Sequence, residues 1–356
     1  MAHIRGYNYI ASLESVFEEM SSYSLRRVQL TGRSTYIVSL PKSWAELIKL
    51  KPGDYVQLIP QPDNSLLLIP RQRREMPSEA LIEASADDLP EEVARELIAC
   101  YLAGYDTIKI VFRRRVDEFK SYLKNLMRTK LIGLESVEES ADYMVIRCLM
   151  GHVDFPIRDA LNRVHVMTLS MLKDAVKALR KRDHFLVNDI IQRDDEVDRL
   201  YLFCVRQLKA AIENAIIMRE VGLKNPRECL GYRLIVKSVE RIADHAAGIA
   251  SQIPLLKLRG SPQIVDEVIK LGEKVSELYE RAMNSVFKSD VKQANKLILD
   301  VENFVKFEDA ILKRLFELRL NTETLIGLRM MIESIRRIAE YSADIAEIVI
   351  NLGVKS

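Results

Sequence analysis

Two pairs of carboxylates at a spacing of four stand out in the second half of the sequence. They are Asp194-x-x-x-Asp198 and Glu240-x-x-x-Asp244, the latter followed directly by His245. Residues four apart on a helix share a face, one turn from each other, which is how helical proteins present oxygen ligands to a hard or borderline cation. The settings of the two pairs differ. At a helical pitch, Asp194 and Asp198 fall in line with Val187, Ile191, Tyr201, Val205, Leu208 and Ile212, in the middle of an apolar stripe. Carboxylates there must be paired, coordinated or open to a groove, and Arg163, Arg180 and Arg233 are candidate partners across a bundle. Glu240 and Asp244 lie opposite the stripe of Ile235, Val239, Ile242, Ala246 and Ile249. For them a solvated face with i,i+4 partners is the alternative to a ligand set.

A second chemistry is electrostatic. Between Arg26 and Glu75 there are nine Lys or Arg residues against four Asp or Glu, a net charge of +5. A dimer of this unit would carry about +10 on a small surface, enough to attract a phosphate backbone with strong salt dependence. Arg26, Arg27, Arg33 and Lys42 are the candidate DNA-contacting residues. The run Arg71-Gln72-Arg73-Arg74 also reads as a solvated linker, the usual fate of charge runs. Tyr36 and Trp44 read as core residues rather than base-stacking ones.

The elements that must position these groups fall into three textures. From Arg26 the pattern is β: Val28 and Leu30 alternate with polar residues, Gly32 marks a turn, and Tyr36, Val38 and Leu40 resume the alternation. Pro41 suits the start of a short helix with Trp44, Leu47 and Ile48 on its apolar face. Lys51-Pro52-Gly53-Asp54 is a turn, and strands are expected over 55–59 and 65–69. A unit this small usually needs a partner, most simply a second copy of itself. Residues 90–150 read as helix 90–103, strand 106–112, helix 116–130 and strands 134–139 and 143–149. That α/β module holds no phosphate-cradling glycine loop and no nucleophile elbow.

From Phe155 onward the period is helical, with segments at about 157–181, 184–219, 226–252, 262–287, 290–319 and 323–352. Short connections argue for antiparallel bundles. Sliding 231–250 onto 327–346 matches nine of twenty positions, among them Gly231/Gly327, Arg233/Arg329, Ser238/Ser334 and Arg241/Arg337. The helical half is thus two tandem three-helix repeats. The second repeat does not keep the carboxylates: Val301 and Val305 stand for the Asp pair, Arg336 and Glu340 for the Glu/Asp pair, and Tyr341 for His245.

Composition bounds the rest. The chain has 356 residues, 29% charged, 48% hydrophobic and 7% aromatic, with a net charge of +2. That profile fits a mainly α, multi-domain protein and argues against disorder or an all-β sandwich. Overall charge cannot supply nucleic-acid affinity, so it must be local. Four cysteines without a C-x-x-C fit a reducing, cytoplasmic setting and exclude a Cys-based zinc site. No apolar run approaches the ~20 residues of a membrane span, so membrane insertion is not expected. The first 24 residues read as a tail, and Met20 is a second candidate start.

Two resemblances follow. Residues 26–70 resemble the AbrB/SpoVT swapped-hairpin family through Arg27-Val28-Gln29, Gly32-Arg33-Ser34, Ile37-Val38-Ser39-Leu40-Pro41-Lys42, Leu50-Lys51-Pro52-Gly53-Asp54 and Ser65-Leu66-Leu67-Leu68-Ile69-Pro70. This implies an obligate dimer with interleaved strands that binds DNA. Residues 155–352 resemble the PhoU family of phosphate-uptake regulators through Arg193-Asp194-Asp195-Glu196-Val197-Asp198 and the string from Val239 to Ala250. This implies two three-helix repeats and a metal ion or cluster, iron or zinc, held in the first by Asp194, Asp198, Glu240 and Asp244. It also implies a partner such as a phosphate transporter ATPase or a sensor kinase. The whole order resembles archaeal-type PhoU-related regulators with an AbrB-like head.

The expected organisation is a tail (1–24), a DNA-binding and dimerisation head (25–75), the α/β module (79–150) and two PhoU-like repeats (155–256 and 262–352). The expected function is a phosphate-response regulator that binds DNA through its head. The alternative is an adaptor that restrains a phosphate ABC transporter ATPase, with the head only dimerising. A carboxylate-bridged metal enzyme would need a Glu-x-x-His spacing that is missing, so catalysis is not expected.

Overall fold

The computed structural model describes residues 25–60, 64–70, 79–85, 87–113, 116–151, 155–257 and 262–354. They belong to two units, 1–77 and 78–356. The tail at 1–24 and the basic run at 71–74 lie outside the described residues.

In the first unit, β1 (Gln29–Thr31) and β2 (Thr35–Ile37) pair antiparallel, with Leu30 opposite Tyr36. Gly32 turns between them at φ +65°, an angle that other residues resist. The helix α1 (Lys42–Leu47) starts after Pro41, and β3 (Val56–Pro60) pairs antiparallel with β4 (Leu66–Pro70). Among the described residues only Ile59 and Ile69 are buried apolar side chains of this unit. Val28, Leu30, Tyr36, Val38, Leu58 and Leu66 are all more than half exposed or at that mark, and α1 buries nothing. Among the described residues the apolar alternation read from the sequence is therefore present with little core to receive it.

The second unit opens with β5 (Glu79–Ala84), α2 (Pro90–Leu102), β6 (Thr107–Phe112), α3 (Val116–Lys130), β7 (Leu134–Glu139) and β8 (Tyr143–Cys148). The sheet order is β5-β6-β8-β7; β5 runs parallel to β6, and the other pairs are antiparallel. Strand β5 is not predicted by the sequence pattern. Its residues, Glu-Ala-Leu-Ile-Glu-Ala, are helix formers, and pairing with β6 overrides that preference. Leu97, Tyr101, Phe119 and Leu123 pack on Ile108, Ile110, Met144 and Ile146 as one core.

The bundle comprises α4 (Ile157–Lys181), α5 (His184–Glu213), a short α6 (Ala215–Glu220), α7 (Pro226–Gln252), α8 (Pro262–Lys288), α9 (Val291–Glu317) and α10 (Thr322–Gly353). Asp183, Asn225, Asp290 and Asn321 cap α5, α7, α9 and α10, each accepting a hydrogen bond from backbone N–H groups in the first turn. The apolar period predicts one helix across 184–219. Asn214 instead breaks it with extended φ/ψ and caps α6 through its Oδ1. Helices α7 and α10 pack together at the centre, and one continuous core joins both repeats.

The α/β module leans on the bundle through α2 and α3, which touch α5. Arg206 of α5 is 3% exposed and donates to the carbonyls of Tyr101 (2.6 Å), Tyr105 (3.1 Å) and Gly104 (3.2 Å) and to Asp106 Oδ1 (3.1 Å). A guanidinium at the C-terminal end of α2 satisfies carbonyls that the helix leaves unpaired.

Candidate functional site

Helices α5 and α7 bring the predicted carboxylates together. One oxygen each of Asp198, Glu240 and Asp244 lie within 4.8 Å of one another. Asp194, a turn earlier on α5, adds an Oδ1 that is buried and has no hydrogen-bond partner. Its flanking residues Ile190 and Val197 are core, which is why the carboxylate faces inward. Burial, with Asp244 and Asp198 adding like charge, pushes the Asp194 pKa up to about 7. Burial, then Glu240 and Asp198, pushes Asp244 up to about 6.

Glu240 is not on a solvated face. It is 7% exposed, because α7 is a central helix covered by α4, α5 and α10. Lys237, one turn earlier, holds both of its oxygens at 2.5 Å. Two of the three arginine partners expected for the Asp pair, Arg163, Arg180 and Arg233, are engaged elsewhere: Arg180 with Glu273, Arg233 with the Tyr201 hydroxyl. The counter-cation is Lys130, the last residue of α3, whose Nζ lies 2.6 Å from Asp195 Oδ1 and 2.9 Å from Asp198 Oδ2. Burial opposes its charge, but these two hydrogen bonds and the negative charges of Asp198 and Asp195 together hold its pKa above the ordinary lysine value. Lys237 could have been found from its i,i+3 spacing to Glu240. Lys130 carries no such signal, since it comes from another module.

His245 takes no part in the cluster. It stacks on Tyr341 with ring centroids 5.9 Å apart. In the second repeat Val301 and Val305 pack in or against the core, and Arg336 pairs with Glu308 and Asp309. Its Nε donates to Glu308 Oε2 at 2.8 Å, and Glu308 is 1% exposed.

In the head, Arg26, Arg27, Arg33 and Lys42 are exposed. Arg26 and Arg27 precede β1, Arg33 sits in the β1–β2 turn, and Lys42 opens α1, 3.6 Å from Glu46. Among the described residues no ion pair engages the three arginines.

The comparisons with known proteins agree with this architecture. Residues 161–253 and 268–349 match the family model of the PhoU domain, one match to each repeat. Residues 29–75 match the family model "Antidote-toxin recognition MazE, bacterial antitoxin". The chain is 26% identical over 196 residues to a phosphate-specific transport system accessory protein PhoU homolog of Zymomonas mobilis, covering 51% of this chain and 77% of that protein. It is 26% identical over 171 residues to the protein of the same description from Clostridium acetobutylicum, covering 46% and 72%. The crystal structure of PhoU from Pseudomonas aeruginosa superposes with a TM-score of 0.50 at 21% identity, over 55% of this chain and 94% of that one, which establishes the shared fold. With the repeat, the bundle and the head each matched in this way, the helical half belongs to the PhoU family as two tandem PhoU domains, preceded by a MazE/AbrB-type head.

Proposed function

We propose that this chain is a non-enzymatic regulator of phosphate transport, working as a homodimer whose head binds DNA and whose PhoU domains relay phosphate status. The PhoU match supports the phosphate role, because both curated relatives bear the name of a phosphate-specific transport accessory protein. What carries the rest is the head. Its large apolar side chains are mostly exposed and only two are buried among the described residues, so a second copy is the natural cover. Its net +5 and the exposed Arg26, Arg27, Arg33 and Lys42 supply the electrostatics that a phosphate backbone needs.

The test is DNA binding by the full-length protein titrated against salt. Submicromolar affinity that falls steeply with salt is expected, with Arg26→Ala/Arg27→Ala weakening binding on every sequence and flattening the salt slope by about 2. Weak, salt-insensitive retention would move the chain to a second reading, which the relatives' transport-system names favour. There the head only dimerises and the bundle docks on a phosphate transporter ATPase, recoverable by pull-down with that ATPase.

The resemblance also implies a cation in the first repeat, and the residues fit one. The Asp194 Oδ1 is buried without a partner, and two ammonium groups, Lys130 and Lys237, already stand against the carboxylates. Asp198, Glu240 and Asp244 would hold the ion, with Asp194 beside them. An all-carboxylate set without His or Cys suits iron(II), Mn2+ or Mg2+ better than zinc. Bound there, the ion would supply positive charge that lets all these carboxylates ionise.

A further inference from the structure

The geometry points to Lys130 as a tethered counter-cation of the carboxylate cluster, a latch that couples cation binding in the first repeat to how firmly the α/β module is held. The inference rests on the cation reading of that cluster. Five carboxylates crowd this end of the α5–α7 pair (Asp194, Asp195, Asp198, Glu240 and Asp244), and only Lys237 among their bonded cations is local to the bundle. The other, Lys130, belongs to a module that matches neither family model. It reaches in from the C-terminus of α3 to bond Asp195 and Asp198 at once.

Among the described residues, two side chains tie the module to α5 at its two ends, and they differ in kind. Arg206 is buried and satisfies four acceptors, so it acts as a fixed pivot. Lys130 is about one-third exposed and holds through charge-assisted hydrogen bonds to two carboxylates alone, so a better charge can displace it. A dication on Asp198 would sit within about 5 Å of the ammonium, where like charges repel. Entry of the ion therefore releases Lys130, while Arg206 keeps α2 in place. The freed part is the end of α3 and the turn through Gly133, at φ +82°, into β7.

The experiment uses full-length protein, Mn2+ as the probe, and two readouts: calorimetric affinity, and hydrogen exchange of residues 126–139. In wild type, Mn2+ is expected to speed exchange in that segment. Lys130→Met removes the competitor, so Mn2+ binds about 3- to 10-fold more tightly, and exchange there is fast without metal and no longer responds to it. Lys130→Arg keeps the charge and behaves like wild type. Equal or weaker Mn2+ affinity in Lys130→Met, or a metal-insensitive segment in wild type, overturns the latch and leaves the cation reading standing. Absence of Mn2+ binding by all three proteins overturns both.

Discussion

The two PhoU repeats solve the same electrostatic problem in opposite ways. In the first, Glu240 and Asp244 of α7 meet Asp198 of α5, and the positive charge comes from lysines on flexible stems, one of them from another module. In the second, the position equivalent to Glu240 is Arg336, which turns onto Glu308 and Asp309 of α9. The second repeat answers its carboxylates with an arginine of its own; the first gathers three carboxylates against lysine side chains. One scaffold thus yields a closed ion pair and an open carboxylate cluster, through the change from Glu240 to Arg336 together with the loss of the Asp pair at Val301 and Val305.

The largest effect should come from opening the closed pair. Arg336→Met strands Glu308, which is 1% exposed, beside a second carboxylate, and should cost about 3 kcal/mol or more of stability. Adding Glu308→Leu should restore most of that, because an apolar replacement of both partners is close to neutral. At the equivalent position of the first repeat, Glu240→Gln should cost under about 1 kcal/mol, since Lys237 can turn to solvent and like-charge crowding falls. Urea midpoints of the four proteins measure this. Equal losses at Arg336 and Glu240 would erase the contrast between closed and open sites.

The sequence showed some of this and hid the rest for identifiable reasons. The helices and the repeat were legible because a 3.6-residue apolar period persists over each segment, and the family matches fall on the two repeats. The Asp198, Glu240 and Asp244 cluster was legible as spacing on two helices. The burial of Glu240 was not, because a helical wheel sees one stripe, whereas α7 is covered on several sides. Lys130 lies 65 residues from Asp195, and only the docking of α3 on α5 brings them together. The head was legible as alternating strands; that only Ile59 and Ile69 of its described apolar residues are buried is a property of the folded unit.

A second asymmetry lies where α4 of the first repeat meets α8 of the second. His165 on α4 is buried against Tyr279 and Phe287, and its Nδ1 has no partner. Burial lowers its pKa from 6.5 to about 4. The folded state therefore prefers the neutral ring, while the unfolded chain takes up a proton first as pH falls. This contribution is complete above pH 6.5 and is lost as pH falls toward 4, about 2 kcal/mol of it between pH 7.5 and 5. His165→Phe suits the aromatic setting and should flatten that part of the acid limb. An unchanged pH dependence in the variant would place the acid sensitivity elsewhere, with the titrating carboxylates of the open cluster the next to examine.

The smallest effect tests the repeats at their one shared glycine. Gly231 on α7 and Gly327 on α10 are equivalent, and a methyl group on either would press on a leucine of the other repeat's neighbourhood. At Gly231 the added carbon would lie 2.7 Å from Leu352 Cδ1, and at Gly327 2.9 Å from Leu256 Cδ2. Alanine gains about 1 kcal/mol over glycine inside a helix, so the sign depends on whether the leucine can yield. Leu352 is half-buried in the last turn of α10 and can swing outward, whereas Leu256 is buried at the end of the α7 extension. Gly231→Ala should then be neutral or stabilising by a few tenths of a kcal/mol, and Gly327→Ala destabilising by up to about 1 kcal/mol. The sequence repeat is symmetric at this position, so any difference between the two melting temperatures reports packing alone.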